Sequence, residues 1–318
     1  MTASTLARPL CIAHRGASGL WPENTMGAFQ RSLDMGVDGF ELDIHLTRDG
    51  QLVVHHDAAL KPAIARLNGE WVSKPTPLLK NLSRDELNAY DVGRLRPGST
   101  YGQRYPEQTP LDGEHIPLLS EVLDLVKHKA GPAFRLYVEL KTELVDTELG
   151  ADPKQLAEAA VDLIEAMDMG AATTFVSFDW RGLLRAKELA PHIRNAFTTL
   201  PFDQMNPHHS EAGTAGESVT SKTLRAMMSA GPAFLGPYDW RDQSAVTFGE
   251  RILETLHASS ADGWFAWYGD VTPESFAYAR NLGLDVSTWT VDEPSDIKRL
   301  SDLGVQAILT DRPDHFDL

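Results

Sequence analysis

From Phe40 to Leu46 the residue types alternate strictly, with Phe40, Leu42, Ile44 and Leu46 in one set and Glu41, Asp43 and His45 in the other. A strand repeats every two residues, so Glu41 and Asp43 project from the same face about 7 Å apart, near enough to share one ion. Two carboxylates buried together are costly without a counter-charge, so this face calls for a cation or a basic cluster. A second alternating run sets Leu136, Val138 and Leu140 against Tyr137, Glu139 and Lys141 and adds a third inward carboxylate. Three oxygen donors with no thiol select a hard cation, Mg²⁺ or Ca²⁺ with Mn²⁺ as a third candidate, over Zn²⁺. The same residues also suit an internal ion network in which Lys141 is simply the counter-charge of Glu139. The spacing alone leaves both readings open.

Histidines accompany the carboxylates. His14 closes the first apolar run and is followed by Arg15-Gly16, which puts an imidazole and a guanidinium side by side with a glycine that permits close backbone approach. A second apolar run ends in His55-His56-Asp57, and alternation lets only one of these two imidazoles face the carboxylates. A lone histidine is usually a hydrogen-bonded structural residue. Two of them beside an acidic cluster suggest a general acid and a general base.

The elements that must hold these groups are short apolar runs alternating with amphipathic segments of helical length, the pattern of a parallel sheet covered by helices. Eight runs are present, at residues 10–14, 39–46, 136–140, 174–178, 195–200, 263–268, 286–291 and 305–310. Eight βα units that close on themselves predict a TIM (β/α)8 barrel, with an open doubly wound sheet as the alternative. In a barrel, the ends of these strands form the C-terminal rim where active sites lie. Helices are expected after Asn24, read as an N-cap and ending at Gly36, over 120–128, and over 272–281 closed by Gly283.

Two stretches break the rhythm. Thr47-Arg48-Asp49-Gly50-Gln51 is a hairpin signal that turns the second strand back into residues 52–55. Residues 58–117 are rich in Pro, Gly and polar side chains, with one helix-like patch at 83–89, and are too long for a βα loop. They are read as an insertion after the second strand, lying over the barrel mouth. Residues 201–217, with His208 and His209, are expected to form a second long loop. Residues 1–318 are expected to make one domain.

Composition narrows the partners. Of 318 residues, 42% are hydrophobic and 23% charged, which supports a large core and excludes a disordered chain. With 29 Lys+Arg against 45 Asp+Glu the net charge is −16, which disfavours nucleic acid, whose affinity rests on Lys and Arg at phosphates. No stretch of 18 apolar residues reads as a membrane span. The single Cys11 permits no internal disulfide, and only nine residues through Pro9 precede the first apolar run, so a cytoplasmic location is expected.

Taken in order, Ala13-His14-Arg15-Gly16, Pro22-Glu23-Asn24-Thr25, Glu41-Leu42-Asp43 with Thr47 and Asp49, and His56-Asp57 form a specific signature. Val138-Glu139-Leu140-Lys141, Ser177-Phe178, Trp289-Thr290-Val291 and Thr310-Asp311-Arg312-Pro313 support it. The sequence closely resembles the glycerophosphodiester phosphodiesterases from residue 10 to the C-terminus. The resemblance implies a TIM barrel with an insertion after the second strand and a single divalent ion on Glu41, Asp43 and Glu139. It implies His14 and His56 as the acid/base pair, Arg15 and Lys141 at the phosphate, and Trp289 lining the cavity where the alcohol sits. It leaves the role of His55 open.

The activity so implied is metal-dependent hydrolysis of small glycerophosphodiesters to glycerol 3-phosphate and an alcohol. Such an anion needs its phosphoryl oxygens neutralised, a nucleophile activated and the leaving alkoxide protonated. The glycerol 2-hydroxyl lies within reach, so attack can first close a cyclic phosphate that water then opens. His14 is assigned as base and His56 as acid, with the exchanged roles as the alternative. A dication with Arg15 and Lys141 exceeds the three carboxylates by one positive charge, so chelation is expected to abolish activity. Two rivals stand beside this reading. A lysophospholipase D-like enzyme would need an apolar entrance, for which residues 237–240 and 265–268 supply aromatics; a catalytically inactive phosphate-binding barrel would need neither histidine. Oligomeric state is not encoded in these motifs.

Overall fold

The computed structural model describes residues 8–207, 219–230 and 238–317. In chain order the strands are β1 (Leu10–His14), β2 (Gly39–Leu46), β3 (Leu52–Val54), β4 (Arg66–Leu67), β5 (Glu70–Trp71), β6 (Tyr90–Asp91), β7 (Arg135–Leu140), β8 (Thr173–Ser177), β9 (Arg194–Thr198), β10 (Gly263–Trp267), β11 (Asp285–Trp289) and β12 (Ala307–Thr310). The sheet runs β1-β12-β11-β10-β9-β8-β7-β2, and β1 also pairs with β2, so eight parallel strands close on themselves. This is a TIM barrel, and each of the eight expected runs supplies one stave. The open-sheet alternative is excluded by the β1–β2 closure, in which His14 stands opposite Glu41.

Alternation decides which residues go where. Phe40, Leu42 and Ile44 join Leu136, Val138 and Leu140 in the layer between barrel and helices. Ile12, Tyr137, Val176, Phe265 and Leu309 fill the barrel interior. A charged face on β2 and β7 is therefore forced inward, near the strand ends where the packed interior stops.

The hairpin forms as the Asp-Gly signal requires. Thr47 N donates to Gln51 O at 2.9 Å, Gly50 takes a φ of 74°, and β3 pairs antiparallel with β2. The insertion after this strand pair contains β4, β5 and β6, short helices including Arg84–Leu87 and Thr100–Arg104, and its own apolar cluster around Leu60, Leu79, Leu87 and Ile116. It reaches the barrel mouth: Thr109 N donates to Leu20 O at 2.8 Å, and Glu107 pairs with Arg312 at 2.9 Å.

Helix ends agree with expectation at Gly36, which caps Met26–Met35 at a φ of 87°. At the other end of that helix the expectation fails: Thr25, not Asn24, is the N-cap and accepts from Ala28 N. Asn24 is instead drawn to a buried carboxylate, which needs a donor more than a helix end does. The later helices span Leu119–Lys129 and Pro273–Asn281, the second capped by Thr272 and followed by Gly283 at a φ of 82°. Of the expected loop at 201–217, residues 202–205 form a short helix, Phe202–Met205, while 208–217 lie outside the described residues. Among the described residues no helix is long and apolar enough to cross a membrane.

Candidate active site

β1 stops at His14 because the chain turns at once, with Arg15, Gly16 and Ala17 at φ values of 52°, 77° and 70°. Gly16 is required there, since a Cβ would sit 3.0 Å from that of Ala28. The turn folds Arg15 back over β2. Its N–H donates to Glu41 O at 2.9 Å, its Nε lies 3.2 Å from Asp43 Oδ2, and its Nη1 donates to Glu23 Oε1 at 3.2 Å.

β2 and β7 run side by side with Asp43 opposite Glu139. Glu41, Asp43 and Glu139 are all buried, and one oxygen from each lies within 4.8 Å of the others. Lys141 donates to Glu139 Oε1 at 3.0 Å and stands 3.6 Å from Asp43 Oδ1. That Oδ1 atom is buried with no hydrogen-bond partner. An orphaned buried carboxylate oxygen facing two more carboxylates is expensive, and a hard cation answers that cost with the donor type it prefers. The residues therefore fit a divalent ion. An internal ion network is also present in the contacts of Arg15 and Lys141, but it leaves this oxygen unsatisfied.

The electrostatics agree. Burial, reinforced by the Asp43 charge, pushes the Glu41 carboxyl up to about 8. Burial also raises Glu139, with Asp43 adding to it against Lys141. For Asp43, burial works upward but is outweighed by Arg15, His56, Lys141 and the Asn24 amide, which hold its carboxyl well below the usual range. Asn24 Nδ2 donates to Asp43 Oδ2 at 2.9 Å.

Both expected histidines reach this cluster. His14 Nε2 is 3.8 Å from Glu41 Oε2, while its Nδ1 meets Asp311 Oδ1 at 2.5 Å. Burial works to lower the His14 imidazole, but Asp311 overcomes it and the ring is raised above its ordinary value. His56 Nδ1 lies 3.1 Å from Asp57 Oδ1, and burial with Arg15 and Lys141 nearby drives its imidazole down to about 4. His55 is 2% exposed and does not line the cavity, and its Nε2 is buried without a partner. His45 packs beneath the site, Nε2 3.1 Å from His56 O, and burial lowers it to about 3.

These groups open onto one cavity of about 220 Å³. Its polar side carries His14, Arg15, Glu41, His56, Glu139 and Lys141; its apolar side carries Phe178, Phe265 and Trp289. Trp289 is fixed edge-on to Phe178, with centroids 5.4 Å apart at 81°, and donates from Nε1 to Phe265 O at 3.2 Å. Every site residue expected from sequence thus borders the same space or, like Asp43, lies directly beneath it.

Sequence reasoning passed over several supporting groups. Asp311 and Asn24 both lie in motifs of the signature, but the sequence assigns Asp311 no role and Asn24 only that of a cap. Glu23 accepts from Arg15 on one oxygen and from the Tyr101 phenol on the other. Tyr105 and Arg104 also come from the insertion, where no periodic pattern announces which side chains turn inward. Of the aromatics named for an apolar entrance, only Phe265 lines this cavity, while Trp267 and Tyr268 pack against each other at 5.5 Å and Tyr238 is exposed. Trp240 is buried and donates to Met228 O at 2.9 Å, Phe265 is an interior residue, and Pro237 lies outside the described residues.

A family model described as the glycerophosphoryl diester phosphodiesterase family matches residues 14–315. The chain belongs to this family. It is accordingly an enzyme that hydrolyses phosphodiesters of the glycerophosphodiester class. A glycerophosphodiester phosphodiesterase of Caldanaerobacter subterraneus is 26% identical over 307 residues, covering 96% of each chain. One from Bacillus subtilis is 27% identical over 312 residues, covering 97% of this chain and 85% of its own. Among solved structures, a putative glycerophosphoryl diester phosphodiesterase from Silicibacter pomeroyi superposes with a TM-score of 0.78 at 30% identity, covering 97% of this chain and 92% of that one. A phosphodiesterase from Oleispira antarctica, solved in complex with sn-glycerol-3-phosphate, shares the fold with a TM-score of 0.64 at 21% identity, covering 96% and 94%.

Proposed function

We propose that this chain, as a single domain, hydrolyses small glycerophosphodiesters to glycerol 3-phosphate and an alcohol with one divalent cation, Mg²⁺ or Ca²⁺, held by Glu41, Asp43 and Glu139. The observation that carries the reading is the orphaned Asp43 Oδ1 among three converging carboxylates, with His14 and His56 on the same cavity. The product complex of the Oleispira relative supports glycerol 3-phosphate as product. When bound, the ion would polarise a phosphoryl oxygen and so ease attack at phosphorus.

The chain's own groups account for the rest. Arg15 and Lys141 neutralise the phosphate oxygens, each held rigid by buried carboxylates. His14, oriented through Nδ1 by Asp311, takes the proton of the attacking glycerol 2-hydroxyl, and His56 gives a proton to the departing alkoxide. The first step forms a P–O bond to the 2-oxygen and breaks the bond to the alcohol, leaving a cyclic phosphate. In the second step water adds to phosphorus, the ring opens and the two histidines recover their starting protons. Against burial, Asp311 favours a protonated His14, whereas burial, with Arg15 and Lys141 adding to it, favours a neutral His56. A protonated His14 is disfavoured by a bound dication, and a neutral His56 by the negative charge that develops on the leaving oxygen.

The test is release of glycerol 3-phosphate from glycerophosphocholine and glycerophosphoethanolamine with added Mg²⁺, Ca²⁺ or Mn²⁺. Turnover that stops in excess chelator and returns with metal is expected; full turnover in chelator refutes the metal role. His14→Ala and His56→Ala should each abolish turnover in a folded protein, whereas His55→Ala, which removes a ring outside the cavity, should affect stability more than chemistry.

A further inference from the structure

Beyond His56 the cavity continues into a groove of about 260 Å³ lined by Arg15, His56, Asp57, Lys61, Tyr101 and Arg104. Arg15, His56 and Arg104 border both spaces. In the proposed reaction His56 protonates the leaving oxygen and borders this groove, so the leaving alcohol extends here and the glycerol lies toward Trp289, the reverse of the placement the resemblance implies for Trp289. Three of the four charged neighbours of His56 here are already paired. Arg15 is held by Glu23 and Asp43, while Asp57 binds both His56 and Lys61, the latter at 2.8 Å.

Arg104 is different. It ends the short insertion helix, its guanidinium stacks over the Tyr105 ring at 5.2 Å, and no carboxylate among the described residues lies within ion-pair distance. Its nearest acidic neighbour in sequence, Glu107, is committed to Arg312. The groove therefore carries more positive than negative charge, and its spare charge is a planar fork suited to carboxylate or phosphate. A quaternary ammonium alcohol would meet like charge there. We propose that Arg104 is a specificity-determining residue that favours glycerophosphodiesters whose leaving alcohol carries an anionic substituent. This rests on the reaction assigned above.

Glycerophosphoserine and glycerophosphoethanolamine differ by one carboxylate on the leaving alcohol, so the ratio of their kcat/KM values isolates the contact. In Arg104→Ala that ratio should fall about fivefold, the size expected of one partly exposed ion pair. It should recover largely in Arg104→Lys and fall further in Arg104→Glu. If Arg104 merely supported Tyr105, both substrates would lose turnover together and the ratio would stay constant, which overturns the inference. A ratio unmoved by Arg104→Glu does the same while leaving the diesterase reading intact. Absence of turnover of either diester by the metal-supplied wild-type enzyme would instead remove that reading and this inference with it.

Discussion

The phenol of Tyr105, a residue of the insertion, donates to Asp311 Oδ2 at 3.0 Å, while Asp311 Oδ1 holds His14 Nδ1 at 2.5 Å. Ser18 Oγ shares that Oδ1 atom. The insertion thus reaches the histidine of β1 through the carboxylate that orients it. Replacing Asp311 with Asn would leave Nδ1 of the ring without its charged partner and should cost about 10²–10⁴ in kcat, the range general acid–base catalysis supplies. Tyr105→Phe removes one outer contact worth on the order of 1 kcal/mol, so its kcat should fall only about fivefold. Steady-state kinetics of both variants beside their melting temperatures checks the order; equal losses would contradict it.

Most of this site was legible because a strand's period is short and its chemistry conspicuous. Glu41, Asp43 and Glu139 could be set on inward faces from alternation alone, and the neighbouring of β2 and β7 needed only the order of successive staves. What escaped were residues placed by turns and by the insertion. Asn24 lies at a φ of 55°, a conformation no periodic pattern marks, so its amide was assigned to a helix end instead of to Asp43. Tyr101, Arg104 and Tyr105 sit in a segment where long-range contacts decide which side chains turn inward. The simple charge count over the cluster also omitted Glu23 and Asp311, because both are second neighbours that act through Arg15 and His14.

Cation binding should be visible without catalysis. A ligand at a hundredfold excess over its Kd that binds only the folded state adds about 2.7 kcal/mol. For the wild-type chain this should raise Tm by roughly 5 °C, since one kcal/mol shifts a large domain by a few degrees. Glu139→Gln removes one ligand and relieves the repulsion among the three carboxylates, so it should melt as high as wild type without metal yet lose most of the metal-dependent rise. Equal rises in both proteins, read by differential scanning fluorimetry with Mg²⁺ or Ca²⁺, would sever Glu139 from the ion.

Cys11 is fully buried in the barrel wall, and burial, with Asp38 adding to it, pushes its thiol up to about 12. The thiolate is the reactive form, so the native protein should consume no thiol reagent at neutral pH while the guanidinium-unfolded chain consumes one equivalent. Labelling kinetics then report opening of the barrel itself. Rapid native labelling at the reagent-limited rate would show that β1 is accessible.

Burial also raises the carboxyl of Asp270 to about 7, against the hydrogen bond from Phe202 N at 2.9 Å. The folded state therefore keeps this proton over a range in which the unfolded chain has released it. Its contribution is fully present below the unfolded value near 4 and is lost as pH rises toward 7. Asp270→Asn should remove that slope, so the difference in unfolding free energy between variant and wild type should move in the variant's favour from pH 4 to pH 7.5. Denaturant titrations at several pH values measure it, and a difference independent of pH would place the carboxylate in water.

The division of labour between the histidines is separable by the leaving group. His56 borders the groove assigned to the alcohol and is given the task of protonating it; a nitrophenolate leaves without that help. On a glycerophospho-p-nitrophenol diester, His56→Ala should therefore regain on the order of 10² of the activity it loses on glycerophosphocholine. His14→Ala, deprived of the group that takes the nucleophile's proton, should lose as much on one substrate as on the other. The opposite pattern, with the activated ester rescuing His14→Ala alone, would exchange the two roles and turn the substrate end for end in the cavity.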